Sequence, residues 1–140
     1  MKKDVIISIR GKQELGDPEA DVIELTTAGR FYRRGRAYYV SYEESEMTGL
    51  LGTRTTLKVQ PDTVSVIRTG LSPSQLVFER GKRHVTLYHT EYGSMEVAVS
   101  TERIEHALTD EGGTIEVRYA IEIDHVHAGI NELSVSVRDA

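Results

Sequence analysis

From Gly112 to Ile123 the chain reads Gly-Gly-Thr-Ile-Glu-Val-Arg-Tyr-Ala-Ile-Glu-Ile, a glycine turn followed by apolar residues at every second position. That period of two is the mark of a half-buried β-strand. Ile115, Val117, Tyr119, Ile121 and Ile123 share one face, while Glu116, Arg118 and Glu122 look toward water. The same grammar recurs along almost the whole chain, so any fold has to accommodate many short strands.

Read in order, Val5, Ile7 and Ile9 open a first strand that runs toward Glu14 and breaks at Leu15-Gly16-Asp17-Pro18. A second runs from about Val22 to Tyr32, with Gly29 inside it marking a bulge or sharp bend. Arg33-Arg34-Gly35-Arg36 forms a hairpin tip, and a third strand carries Tyr38, Val40 and Tyr42 before fraying into Glu43-Glu44-Ser45-Glu46. A fourth sets Thr53, Thr55, Leu57 and Val59 on one face; a fifth carries Val64, Val66 and Arg68; a short sixth spans Gln75 to Glu79. The seventh runs from Arg83 to Glu91. The eighth starts with Met95, Val97 and Val99 and then changes parity, since Ile104 and Leu108 fall out of phase. A bulged strand is the preferred reading over 100–109, with a helical turn capped by Ser100 or Thr101 as its competitor. After the opening stretch, Asp124 to Asn131 reads as a turn leading into Leu133, Val135 and Val137. Linkers, low-complexity runs and internal repeats do not appear.

About eight to ten short strands without a covering helix leave unpaired edges, and closure is the complete solution to that problem. The expectation is an all-β fold over residues 1–140, a single domain built as a closed antiparallel meander barrel, with an open sandwich as the second choice. Cysteine is absent, so a disulfide framework and thiolate metal ligation are excluded and cytoplasm is the expected location. The apolar run before Arg10 is too short for a signal-peptide core or a membrane span. A net charge of −5 argues against broad nucleic-acid binding and leaves only a local basic patch as an exception.

Several features together resemble the YwiB-like family, bacterial proteins on a calycin-like β-barrel without an assigned function. They are Val22-Ile23-Glu24, Tyr42-Glu43-Glu44, Lys58-Val59, Arg68-Thr69-Gly70, Tyr88 with Tyr92-Gly93, and Glu111-Gly112-Gly113 ahead of Tyr119. The likeness spans nearly the full length. Calycins such as lipocalins hold small ligands inside the barrel, which the resemblance implies here as an expectation; no family catalytic set carries over.

If the meander holds, polar residues interrupt the apolar faces toward one mouth: Tyr42 and Glu44, Thr53 and Thr55, Arg68, His89 and Glu91, and His125. The opposite ends carry Val40, Val59, Val64, Val85 and Ile115, a dry base. An inward arginine requires a carboxylate, so Arg68 is expected to pair with Glu44 first and Glu91 second, either as a ligand clamp or as a plug of the rim. His125 and His127, with His89, Glu91 or Glu44, are the residues that would surround a divalent ion; solvated loop histidines are the preferred reading, and no metal or cofactor is expected. His84 and His106 fall on surface parity.

Around the hairpin, Arg30, Arg33, Arg34 and Arg36 alternate with aromatics and no acid, a composition suited to phosphate contact and base stacking. The competing explanation is charge that discourages edge pairing. Nucleophile elbows, phosphate loops and zinc-protease motifs do not occur, so catalysis is not expected. The sequence therefore points to a non-enzymatic binder of a small molecule at one mouth through Tyr42, Glu44, Thr55, Arg68, His89 and Glu91. Its alternatives are an anionic-partner or nucleic-acid module through the arginine hairpin, and a protein-interaction module. Oligomeric state and ligand identity are not written in it.

Overall fold

A computed structural model describes residues 2–14, 21–45, 51–71, 73–90 and 92–140. Ten strands occupy most of them: β1 (Lys2–Glu14), β2 (Asp21–Arg34), β3 (Ala37–Glu43), β4 (Thr53–Val59), β5 (Thr63–Gly70), β6 (Ser74–Glu79), β7 (Arg83–Thr90), β8 (Gly93–Thr109), β9 (Gly112–Ile123) and β10 (Val126–Asp139). They form one antiparallel sheet in the order β6-β5-β4-β3-β2-β1-β10-β9-β8-β7. The terminal strands β1 and β10 pair from Val5–Asp139 to Glu14–Ile130, so the chain's two ends are stitched together. The ring is broken instead between β6 and β7, consecutive strands with no ladder between them among the described residues.

This is a nearly closed barrel, and side chains and turns finish what the ladders leave open. The Phe78 and Tyr119 rings meet across the seam with centroids 4.5 Å apart. Beyond Ser100 the edge of β8 no longer pairs with β7, and the β6–β7 turn takes its place: Gly81 N donates to Thr101 O (3.0 Å) and Thr101 N to Lys82 O (3.2 Å). Arg80 Nη2 donates to the carbonyl of Ile104. Buried backbone groups at the break thus find partners, as they must.

Alternation places Val5, Ile7, Phe31, Val40, Leu57, Val59, Val64, Val66, Phe78, Val97, Val99, Ile115, Val117, Val135 and Val137 inside. Each such side chain contributes about 1.5–3 kcal/mol by leaving water. The dry base expected at one end forms from Val40, Val59, Val64 and Ile115. Val85 does not join it.

The parity of β7 is the reverse of the expected one. Val85 and Leu87 are 45% and 59% exposed, and His84, Thr86 and Tyr88 are half-buried. Register decides this: His84 lies opposite Val99 and Thr86 opposite Val97, and both valines are buried, so the even positions of β7 must turn inward with them. The odd face of β7, which the sequence reading assigned to the mouth, is therefore the outer one.

Two other segments refine the sequence reading. Residues 100–109 are a bulged strand, with the register against β9 shifting between Thr101 and Arg103; this is what brings Ile104 into the core. The expected turn over 124–131 shrinks to Asp124 and His125, both at positive φ (49° and 70°), and β10 begins at Val126 with a register shift between His127 and Gly129. Paired positive-φ residues suit a tight hairpin, and Asp124 Oδ1 anchors it by accepting from Glu96 N at 2.9 Å. Gly29 marks no register shift against β1. It admits a close approach: a Cβ there would lie 2.5 Å from Ser41 O.

Gly113 closes the β8–β9 hairpin at φ 140°, where a Cβ would lie 1.8 Å from Ala107 O. Gly113→Ala is expected to destabilise the barrel by about 2 kcal/mol or more through backbone strain and overlap. Urea unfolding should show a lower midpoint at unchanged slope; an unchanged midpoint would refute the packing described for this turn.

Candidate functional site

Tyr42, Thr55, Arg68 and Ser74 occupy directly opposed positions on β3, β4, β5 and β6. One layer below, Val40, Leu57, Val66 and Leu76 repeat the arrangement in apolar form. The chain thus changes chemistry within one step along each of four neighbouring strands. The polar layer and the far wall, with Tyr119 and Leu133, surround a cavity of about 150 Å³ that reaches down to Leu76 and Phe78.

Thr53, Thr55, Tyr42 and Glu44 are all buried. Thr55 Oγ1 donates to Glu44 Oε1 at 2.6 Å, and Glu44 N donates to Thr53 O at 2.8 Å, fixing the carboxylate just past the end of β3. Burial pushes the Tyr42 hydroxyl up to about 12; the Glu44 charge adds to the rise, Arg68 opposes it, and hydrogen bonding with Glu44 and with Thr55 adds opposing smaller effects. Tyr119 is also raised, first by burial, against a hydrogen bond with Asn131 and the charge of Arg68, while Tyr88 pushes the same way as burial. Arg68 therefore stands where its charge is felt by phenols on both walls.

The ion pair expected between Arg68 and Glu44 is not formed. Arg68 is directly across from Thr55, which is directly across from Tyr42, so Glu44 lies two strands away and its near oxygen is taken by the intervening Thr55 hydroxyl. Strands are spaced about 4.8 Å apart, which leaves the two charges too far apart for contact. Among the described residues Arg68 has no ion pair, and its Nε is buried without a hydrogen-bond partner. Buried polar atoms are paired as a rule, and an orphaned one calls for an explanation. Three more occur on inward positions: Thr53 Oγ1, Thr101 Oγ1 and Asn131 Oδ1.

Of the expected site residues, Tyr42, Glu44, Thr55 and Arg68 are brought together. Glu91 lies outside the described residues, as does the side chain of His89, whose backbone pairs with Ser94. Tyr119, Asn131, Thr101 and Tyr88 belong to this end of the interior and were not picked out as site residues from sequence. The inward face of β9 already carried Tyr119, and a polar interruption there was the available signal.

The histidines do not converge. His125 is an exposed turn residue whose Nε2 lies 2.7 Å from Glu96 Oε2, and His127 is exposed. His106 reaches Pro61 O at 3.2 Å, and His84 lies 3.1 Å from Glu79 Oε1. Among the described residues no three metal-ligating side chains cluster, and no helix is long and apolar enough to cross a membrane.

At the far end, the arginines of the β2–β3 hairpin are partly neutralised. Arg30 Nε lies 3.2 Å from Asp4 and Arg33 Nη1 3.3 Å from Asp110, while Arg34 packs over the ring of Tyr32 and Arg36 is exposed. The acids come from β1 and the β8–β9 turn, neither visible in the hairpin's own composition.

Comparison with known proteins agrees with the architecture. Residues 7–135 match a family model described as a domain of unknown function, DUF1934. The chain is 29% identical over 132 residues to the uncharacterized beta-barrel protein YwiB of Bacillus subtilis (strain 168), covering 91% of this chain and 92% of that protein. It is similar in structure to the crystal structure of the ywiB protein from Bacillus subtilis, with a TM-score of 0.81 at 23% identity over 99% of this chain and 93% of that one.

Because the Tyr42 pKa is raised on folding, the stability it contributes is complete below pH 10 and is lost as pH rises through about 12. The loss amounts to about 3 kcal/mol. Phenolate absorbance of wild type minus Tyr42→Phe should show a single phenol titrating well above pH 10; a difference titrating at 10 would contradict the buried geometry.

Proposed function

The chain belongs to the DUF1934 family, and we propose that within it this barrel binds a small anionic molecule at its polar mouth, with Arg68 as the electrostatic anchor. The observation that carries the reading is the buried Nε of Arg68, without a hydrogen-bond partner beside a cavity of about 150 Å³. Arg68 is half-buried, and its buried Nε is left without a partner, at a cost of about 1–3 kcal/mol that an anion's oxygen would offset. A carboxylate or phosphate oxygen fits a guanidinium in two-point fashion. The Tyr119 hydroxyl on the far wall supplies a neutral donor near it, and Leu76, Phe78 and Leu133 take the apolar remainder of the ligand. A cavity of this size holds only a few carbon atoms, so the ligand is short.

This is a binder, not a catalyst. Glu44 is held by Thr55, and Tyr42 is pushed further from ionisation, so this phenol is not poised to give up a proton at neutral pH. The barrel is used, in this reading, as lipocalins use theirs, and in the cytoplasm.

Arg68→Met separates a ligand anchor from a structural charge. An arginine in a buried ion pair would cost about 3–5 kcal/mol to remove. An unpaired one should cost nothing, and Arg68→Met is expected to unfold at an equal or higher urea concentration than wild type. Native mass spectrometry of freshly purified wild type should show a small added mass that disappears on denaturation and is missing from Arg68→Met. A strongly destabilised variant, or a bare wild-type mass together with no thermal stabilisation by short carboxylates and phosphate esters, would overturn the reading.

A further inference from the structure

The outer surface of β1–β4 has a composition the mouth does not explain. Lys2, Tyr32, Tyr39 and Lys58 lie directly opposite one another on four successive strands. The two tyrosine rings stack with centroids 4.9 Å apart and planes 2° from parallel. Lys2 Nζ and the Arg34 guanidinium each lie 5.5 Å from the Tyr32 centroid, and Lys58 Nζ lies 5.9 Å from that of Tyr39.

The neighbouring rows place Arg30 beside Asp4 and Arg54 beside Glu43, two cations satisfied by two acids. Lys2, Arg34 and Lys58 differ: among the described residues none has a carboxylate within 4 Å, and their only partners are the rings. Around the tyrosine pair, five cations therefore face two acids among the described residues, on a protein whose net charge is −5. Beside the tyrosines runs a surface hollow of about 430 Å³, walled by Arg30, Tyr32 and Arg54 and floored at Gly29.

We infer that this face docks single-stranded nucleic acid, with the phosphates along Lys2, Arg34 and Lys58 and a base on the tyrosine pair. Cations held over rings by cation–π attraction alone are loosely fixed. They swing to phosphate when a base takes their place on the ring, and a basic track beside aromatic faces is how sequence-tolerant single-strand binding is built. A duplex does not suit the face: its bases are already stacked, and among the described residues no helix or ribbon projects to enter a groove. A bilayer does not suit it either, because among the described residues the large exposed apolar side chains, such as Ile23, Leu71 and Leu87, are not beside the tyrosine pair.

The probe is fluorescein-labelled 12-nucleotide oligo(U), titrated with the full chain by anisotropy. With three phosphates neutralised, affinity should fall about 20-fold between 50 and 200 mM salt. Arg34→Ser with Lys58→Ser should weaken binding and lower the salt slope by about 1.4. The charge-matched pair Lys82→Ser with Arg103→Ser, away from this face, should change neither. Tyr39→Thr, verified as folded by its thermal melt, should cost at least about fivefold by removing the stacking surface. Should Tyr39→Thr unfold the barrel, competition by polyphosphate of equal charge decides instead: it should displace oligo(U) poorly, since it lacks bases. Absence of binding at 50 mM salt, an equal effect of the distant pair, or polyphosphate or polyglutamate competing as well as unlabelled oligo(U) would each overturn the assignment.

Discussion

Ten strands must leave no backbone amide bare in the interior, and everything else in the molecule follows from how that requirement is met. Nine antiparallel ladders do most of it. With the first and last strands paired over ten residues, the circle of hydrogen bonds is nearly complete, and only the β6–β7 junction needs another device. Because the ladders fix register, they also fix which side chains look inward. The polar layer of Tyr42, Thr55 and Arg68 is a product of backbone pairing before it is a product of side-chain attraction.

That ordering explains why part of the site was readable in the sequence and part was not. In β3, β4 and β5, strict alternation with no interruption makes Tyr42, Thr55 and Arg68 stand out as polar residues on apolar faces, and the pairing brings them side by side. Thr101 keeps the parity of Val97 and Val99, and Asn131 that of Leu133 and Val135, but Thr101 falls in the stretch that reads as a bulge or helical turn and Asn131 at the end of the stretch that reads as a turn, so neither stands out as an inward strand position. Strand β7 fails for another reason. It borders the open junction, so its outward face carries Val85 and Leu87, and its own apolar pattern points the wrong way. Its hairpin register against β8, which sets Thr86 opposite Val97 and His84 opposite Val99, decides the matter.

Distances were the least legible property of all. Sequence parity put Arg68 and Glu44 on one inner surface and toward one end, and chemistry then argued for an ion pair. The strand between them carries Thr55, whose hydroxyl satisfies the carboxylate and leaves the guanidinium without an acid. A face names candidates; it does not measure the gap between them. The hairpin arginines teach the converse, since Asp4 and Asp110, remote in the chain, neutralise two charges that look free in their local sequence.

Tyr119 borders the cavity and also presses its ring on Phe78 at the junction that no ladder closes. The weakest join in the wall and the lining of the pocket thus have one aromatic side chain in common. Phe78 belongs to the edge strand β6 and Tyr119 to β9, paired on both sides, so one ring both lines the cavity and ties a free edge to the body of the sheet.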